Sequence, residues 1–438
     1  MAEHHGWSGR TVGVVGAGQL ARMTCQAAVS LGIRVRVLAA APGESAAQVC
    51  ADTRIGDYRS LPDLLALADG CDAVTFDHEH VPGDQLGALE AAAVPIRPGR
   101  AALRYAQDKL AMRERLVSAG VACPRFAPVT GLADVTDFAE RHDWPVVLKA
   151  IRGGYDGKGI WVCETAGQAA EVLAHGIGLI AEEYVPFTAE LAALVARSPY
   201  GQGVAYPVVQ TVQRDGICRE VLAPAPGLPA GLARQAQSMA LRLASELGVV
   251  GLLAVELFQA PRGLLVNELA MRPHNCGHWT IEGARTSQFE QHLRAVLDLP
   301  LGAPQLTAPR VVMANVLGGD DGDLYERLHH VLAADPALRV HLYGKPARPG
   351  RKIGHVTALG DDVADLRERC LSAASYLRWG TADDPGYPRA ATLSPAGSAA
   401  RAPAGPARSA AGPSAQSLAG PPPSAAGPAA QPFGGKKR

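Results

Sequence analysis

Leu252-Leu-Ala-Val-Glu256-Leu-Phe-Gln-Ala-Pro-Arg262-Gly-Leu-Leu-Val-Asn267-Glu268-Leu-Ala-Met-Arg272-Pro-His274-Asn275-Cys276-Gly-His278-Trp279 is the stretch that decides how this chain folds. Two apolar runs, 252–260 and 264–270, flank Pro261-Arg262-Gly263 and read as the strands of a hairpin. A hairpin centred on Arg262 sets Glu256 directly opposite Glu268 on one sheet face, with Cβ atoms about 4.5–5.5 Å apart. Like charges so placed destabilise a sheet unless a cation bridges them. Hard oxygen ligands, with Asn267 beside them, suit Mg²⁺, and Mn²⁺ could replace it. The plainer alternative, one glutamate turned to solvent, fits poorly with strands this apolar. From Asn267 to Trp279 an amide, a carboxylate, an arginine and two histidines follow within thirteen residues. They begin where an apolar strand ends, the place where open α/β folds put ligands. Arg272, His274, Asn275 and His278 could bind and polarise an anionic substrate, although surface histidines are usually inert and some of these would only support the loop.

The chain has 438 residues, enough for about three domains. Apolar residues at 47% and charged residues at 19% give a soluble globular composition with a sizeable core. A formal net charge of zero argues against nucleic acid or an acidic membrane surface as a partner. No two of the eight cysteines have C-x-x-C spacing, so they read as reduced intracellular thiols. No apolar run reaches the roughly 18 residues of a membrane span. The expected compartment is the cytoplasm.

Upstream, residues 11–15 read as a strand, followed by the turn Gly16-Ala-Gly18-Gln19-Leu-Ala21, a helix ending at Gly32, and a strand at 34–38. This βαβ opening matches the dinucleotide fingerprint G-x-G-x-x-A, but the second strand lacks the acidic residue that would hold a ribose. Two readings remain: an anion at the helix N-terminus, or a tight turn with no ligand. Residues 73–76 form a third strand, 104–120 a helix, and 145–151 a strand carrying Lys149 into Gly153-Gly154-Tyr155-Asp156-Gly157-Lys158-Gly159. That loop is not a Walker A motif, yet four glycines with a lysine suit a cover over nucleotide phosphates better than an ordinary hairpin turn. Thr165-x-x-Gln168 reads as a capping box, 179–185 as a strand and 231–247 as a long helix. A basic cluster, Lys345, Arg348, Arg351 and Lys352, surrounds Pro349-Gly350 near His355. It is either a phosphate seat or a solvated charged face. From residue 384 the chain is mostly Ala, Pro, Gly and Ser and is expected to be disordered.

Together these motifs resemble the ATP-grasp superfamily, and within it the N5-carboxyaminoimidazole ribonucleotide synthases of purine biosynthesis. The resemblance covers essentially 11–380. It is carried by the glycine loop, by Asn267-Glu-Leu-Ala with Arg272-Pro-His-Asn275 and Gly277-His-Trp-Thr280, by Ser287-Gln-Phe-Glu-Gln-His-Leu-Arg294, by Arg348-Pro-Gly-Arg-Lys-Ile-Gly-His355 and by Phe76-Asp-His-Glu-His-Val-Pro82. It implies a mixed α/β and α+β chain: a βαβ pre-ATP-grasp domain (1–100), a two-lobed ATP-grasp domain (101–305), a small β-rich C-terminal domain (306–383) and the tail (384–438). It implies ATP bound by Arg104, Lys149, Gly154, Tyr155, Asp156, Gly157, Lys158, Gly159, Ile160, Glu182, Glu183, Tyr184, Val185, Glu190, Gln213, Asn267 and Glu268. Glu182 and its neighbours would read adenine and Glu190 the ribose. Glu256 and Glu268 would hold Mg²⁺. Gln19, Glu79, Arg272, His274, Asn275, Cys276, Lys345, Arg351 and Lys352 would meet aminoimidazole ribonucleotide or bicarbonate, with Arg272, Lys149 and Tyr155 as catalytic residues. The implied enzyme is a carbon–nitrogen ligase, acting as a homodimer on small molecules only, that carboxylates aminoimidazole ribonucleotide through carboxyphosphate.

The sequence departs from the family pattern at Cys276, usually Ser, at Met271, usually Pro, and at Ala192, usually Ser. Gln210-Thr-Val-Gln213 replaces the usual Glu-Asn-x-His. These changes are conservative in size, so an active enzyme is expected. Competing readings are another ATP-grasp ligase, such as a formate-dependent glycinamide ribonucleotide transformylase, and a nucleotide-binding scaffold without catalysis.

Overall fold

A computed structural model describes residues 9–154, 157–320 and 322–382. The expectations for Tyr155, Asp156 and the 384–438 tail lie outside these residues. Three sheets organise the rest.

The first sheet is parallel, in the order Asp52–Ile55, Arg34–Ala39, Thr11–Val15, Ala73–Phe76. Its central strand is buried along its whole length, as a parallel strand covered on both faces must be. The edge strand Asp52–Ile55 escaped the sequence reading because its polar composition carries no apolar alternation.

The second sheet is antiparallel and runs Phe126–Val129, Leu179–Glu183, Val146–Ala150, Ile160–Cys163. It brings Lys149 and Glu182 to one side of a lobe. The helix expected over 104–120 is two helices, Arg100–Gln107 and Lys109–Ser118, broken at Asp108. Asp108 is extended and its carboxylate caps the second helix through the Ala111 N–H at 2.9 Å, which is why the helices divide there. Thr165 caps the helix Ala166–Leu173 as expected, but Gln168 reaches back to the Glu164 N–H at 2.6 Å rather than to that of Thr165.

The third sheet has nine strands, with Gly263–Ala270 at one edge and Arg339–Leu342 at the other. The hairpin Gly251–Ala260 and Gly263–Ala270 opposes Glu256 to Glu268, as expected. The register reaches this pairing differently. The loop is only Pro261-Arg262, with Ala260 opposite Gly263, and a bulge at Asn267 shifts the pairing by one residue before Glu268. The strand Arg310–Leu317 pairs directly with Ile217–Ala223, so the C-terminal strands continue this sheet instead of forming one of their own. Residues 311–317 are all buried, because the helix Val363–Trp379 covers one face while Trp279 and its loop cover the other. A buried ion pair, Arg367 to Glu220 at 2.7 Å, ties that helix to the sheet.

Candidate active site

The three sheets border one cleft of about 1210 Å³. Of the residues expected to meet ligands, Gln19, Glu79, Lys149, Gly154, Gly157, Lys158, Ile160, Glu182, Glu183, Tyr184, Val185, Glu190, Gln213, Glu256, Asn267, Glu268, Arg272, His274, Asn275, Cys276, Lys345, Arg351 and Lys352 line it. Their sequence separation is large, so the sheet order, not local sequence, brings them together.

On the side of the cleft formed by the second sheet, Lys149 Nζ lies 2.8 Å from Glu182 Oε2 and donates to Asn267 Oδ1 at 3.0 Å. Burial would raise the Glu182 carboxyl, but Arg113 and Lys149 overcome it and hold the group at about 2. Its carboxylate is therefore engaged by two cations. Glu183 likewise gives its carboxylate to Arg262 and to the Arg125 N–H.

Arg104 does not line the cleft; it is exposed on the helix Arg100–Gln107. Lys109, one helix later, enters instead and donates to Glu268 Oε1 at 2.9 Å. Gly159 is also outside the lining, its carbonyl accepting the Ala150 N–H at 2.8 Å. Gly157 packs backbone to backbone on Gly216, where a Cβ would meet the Gly216 Cα at 2.9 Å. Only glycine allows that approach between the glycine loop and the opposite hairpin turn.

Glu190, Glu256 and Glu268 bring three carboxylates to the cleft wall. Burial, helped by Glu268 and then Glu190, pushes Glu256 up to about 8; burial pushes Glu190 up to about 7 against a bond from the Gln213 backbone N–H. Among the described residues no group of three or more His, Cys, Asp or Glu side chains forms a metal cage. Two opposed carboxylates whose charging is costly without a cation do fit Mg²⁺, which usually takes one or two carboxylates and completes its shell with phosphates and water.

At the end of the hairpin, Glu79 accepts from the Met271 N–H at 2.8 Å and from Arg272 Nε at 2.8 Å, so the loop from the first sheet clamps the arginine. His274 places Nε2 3.4 Å from Glu256 Oε1 and accepts the Cys276 N–H at Nδ1 at 3.4 Å. Burial, then Arg272 and Lys352, lowers its pKa to about 3, so it is neutral. Asn275 exchanges two bonds with Asn315, at 2.9 and 2.8 Å, which hold the loop in place. The Cys276 Sγ is buried, 3.1 Å from His274 Nδ1. His278 lies fully buried under the loop, bonded to Gln288 at 2.9 Å and outside the lining, so it is a support rather than a ligand group.

The glycine turn of the first sheet resolves between its two readings. Gly18 and Ala21 N–H groups donate to the Asp77 carboxylate at 3.0 and 2.7 Å. The anion at that helix N-terminus is the protein's own. Gln19 beside it accepts from Lys345 Nζ, linking the turn to the basic cluster.

A ribonucleotide synthetase preATP-grasp domain matches residues 9–107, an ATP-grasp domain 114–289, and a phosphoribosylaminoimidazole carboxylase C-terminal domain 311–369. The N5-carboxyaminoimidazole ribonucleotide synthase of Mycobacterium tuberculosis strain H37Rv is 56% identical over 385 residues, spanning 85% of this chain and 90% of that one. The chain belongs to the N5-carboxyaminoimidazole ribonucleotide synthase family. The synthetase of this family from Thermus thermophilus superposes with a TM-score of 0.77 at 39% identity, over 85% of this chain and 99% of that one. The Aspergillus clavatus synthase, solved with ADP and 5-aminoimidazole ribonucleotide, gives 0.78 at 31% identity, over 85% and 99% of the two chains. A preATP-grasp, an ATP-grasp and a carboxylase C-terminal segment therefore follow one another along the chain, which is the fold class the sequence suggested.

Two charged residues of this family member escaped the sequence reading. Lys109 and Arg113 lie on the buried stripe of the helix Lys109–Ser118, together with Met112 and Leu116. Cations at two of the five buried positions of this helix were the available signal.

Proposed function

We propose that this chain carboxylates 5-aminoimidazole ribonucleotide at its exocyclic amine, using ATP and bicarbonate. The observation that carries the reading is the junction at 267–274. There the Glu256–Glu268 pair and the Lys149–Asn267 contact meet Arg272, clamped by Glu79, within one cleft. One side of that seam is built for a phosphate donor and the other for its anionic acceptor.

In this reading Lys149 and Lys158 meet the nucleotide phosphates, Glu190 the ribose, and backbone groups of 183–185 the base. Glu256 and Glu268 would hold Mg²⁺, which neutralises phosphate charge when bound. Bicarbonate oxygen attacks the γ-phosphorus as the bond to the β–γ bridging oxygen breaks, giving carboxyphosphate and ADP. Arg272 balances the charge gathering on bicarbonate, and Glu79 fixes its guanidinium in place. Carboxyphosphate then splits into CO₂ and inorganic phosphate inside the cleft, where exclusion of water preserves the CO₂. The exocyclic amine attacks the CO₂ carbon and releases one proton as the N–C bond forms. Lys345, Arg351 and Lys352 would hold the ribonucleotide phosphate.

The C-terminal segment matches a carboxylase model, which favours carboxylation over formate transfer as the ligase chemistry. Paired Glu256 and Glu268 with Lys149 argue against a silent scaffold. We further take the family's expected homodimer as the working assembly, to be checked by light scattering. The activity test is ADP release from ATP and Mg²⁺ with aminoimidazole ribonucleotide, with and without bicarbonate. Stimulation by bicarbonate is expected; its absence would refute the reading.

A further inference from the structure

Among the described residues, one fully buried charge lies directly behind the wall of the cleft. Arg113 has a side-chain exposure of 0% and does not line the cleft. Each guanidinium nitrogen nonetheless makes a bond: Nε to Glu182 Oε1 at 2.7 Å, Nη1 to the Val266 carbonyl at 2.8 Å and Nη2 to the Asn267 carbonyl at 2.8 Å. The first bond reaches the second sheet, and the other two reach the third sheet at the Asn267 bulge. One side chain therefore sets both partners of Lys149 Nζ, the Glu182 carboxylate and the Asn267 amide.

The charges sharpen the argument. Lys149 and Glu182 alone would form a neutral pair, presenting no net charge to an incoming polyphosphate. With Arg113 behind Glu182, the three side chains carry a net charge of one positive unit. The two residues facing the cleft are Lys149 and Glu182. The guanidinium offsets the carboxylate charge from behind, so the three together present a net positive charge in front. Bidentate and multi-partner bonding of this kind is what a planar guanidinium does and an ammonium does not.

We propose that Arg113 is a positioning residue for phosphate binding: it offsets the charge of Glu182 and anchors the Asn267 bulge, so that the paired Lys149 and Glu182, with Arg113 behind them, present a net positive charge to the nucleotide phosphates. The inference rests on the reading that a nucleotide occupies the cleft beside Lys149. It separates phosphate recognition from recognition of the nucleoside, which a merely structural arginine would not.

The test is calorimetric binding of ADP and of adenosine to wild-type, Arg113→Met and Arg113→Met/Glu182→Gln full-length proteins, with circular dichroism confirming the fold. Arg113→Met removes one positive charge and is expected to weaken ADP by about 10–100-fold, while adenosine changes by less than about threefold. Adding Glu182→Gln restores the net charge and should bring ADP to within about threefold of wild type. Equal losses for ADP and adenosine, unchanged ADP affinity in Arg113→Met, or no recovery in the double variant would each overturn the inference. If Arg113→Met alone does not fold, the double variant carries the test, and a loss of ADP affinity above about tenfold overturns it. Wild-type protein that binds no ADP would instead refute the nucleotide reading beneath it.

Discussion

Replacing Gly18 by alanine would set a methyl carbon 2.3 Å from Asp77 Oδ2, far inside ordinary contact. Gly18 has φ −78°, which any residue adopts, so the substitution brings no backbone strain and its whole cost is the collision. Asp77 must swing away and release the Gly18 and Ala21 N–H groups it accepts at 3.0 and 2.7 Å. A hydrogen bond to a charged acceptor contributes about 1.5 kcal/mol at the low end, so Gly18→Ala should cost about 3 kcal/mol. Asp77→Ala loses the same two bonds and should cost a similar amount. In the double variant the collision is gone and the bonds can be lost only once. It should also cost about 3 kcal/mol, not about 6, a coupling of about 3 kcal/mol. Urea titrations of the four proteins followed by circular dichroism supply the cycle. Because Gln19 contacts Lys345, both single variants should also raise the KM for aminoimidazole ribonucleotide more than that for ATP. Additive losses, with no coupling, would show that Asp77 is not the anion this turn is built around.

Glu268→Gln removes one of the opposed carboxylates and the partner of Lys109, and Mg²⁺-dependent turnover should fall on the order of 100-fold; full turnover would rule out the metal assignment. Cys276→Ser should leave steady-state activity equal or higher, because the buried thiol contacts only the loop's own His274 among the polar groups described around it; a large loss would show the thiol itself is required. His292 accepts the Leu252 N–H at Nδ1 at 3.2 Å and lies 2.7 Å from Thr75 Oγ1 at Nε2, joining the first sheet to the third. Burial lowers its pKa from 6.5 to about 3, so its contribution to stability is complete above pH 6.5 and is lost as pH falls from there toward 3. Unfolding midpoints should therefore drop below pH 6.5, and His292→Gln should flatten that slope while lowering stability at pH 7. Truncation after residue 382 should leave turnover unchanged in the same assay.

Much of the site could be read from residue types and spacing, and the failures have physical causes. Apolar strands flanking a short turn gave the Glu256–Glu268 pairing, although the bulge at Asn267 that achieves it left no trace in composition. Strand Asp52–Ile55 was invisible because an edge strand half open to water needs no apolar alternation. The helix break at Asp108 was not legible because nothing in the apolar pattern of 104–120 marks it; it leaves Arg104 exposed and turns Lys109 into the cleft. Glu182 and Asn275 line the cleft as expected, but their partners Arg113, Lys149 and Asn315 are far away in sequence and left no trace in motif spacing. Motif spacing identifies which residues gather; it does not say which of them are already satisfied by each other.

The central claim is that bicarbonate, not the ribonucleotide, takes the γ-phosphoryl group. Turnover in [¹⁸O]bicarbonate, with mass analysis of the released phosphate, tests it directly. The expected result is one ¹⁸O per inorganic phosphate, carried over when carboxyphosphate breaks down to CO₂. Unlabelled phosphate released alongside the carboxylated ribonucleotide would contradict it.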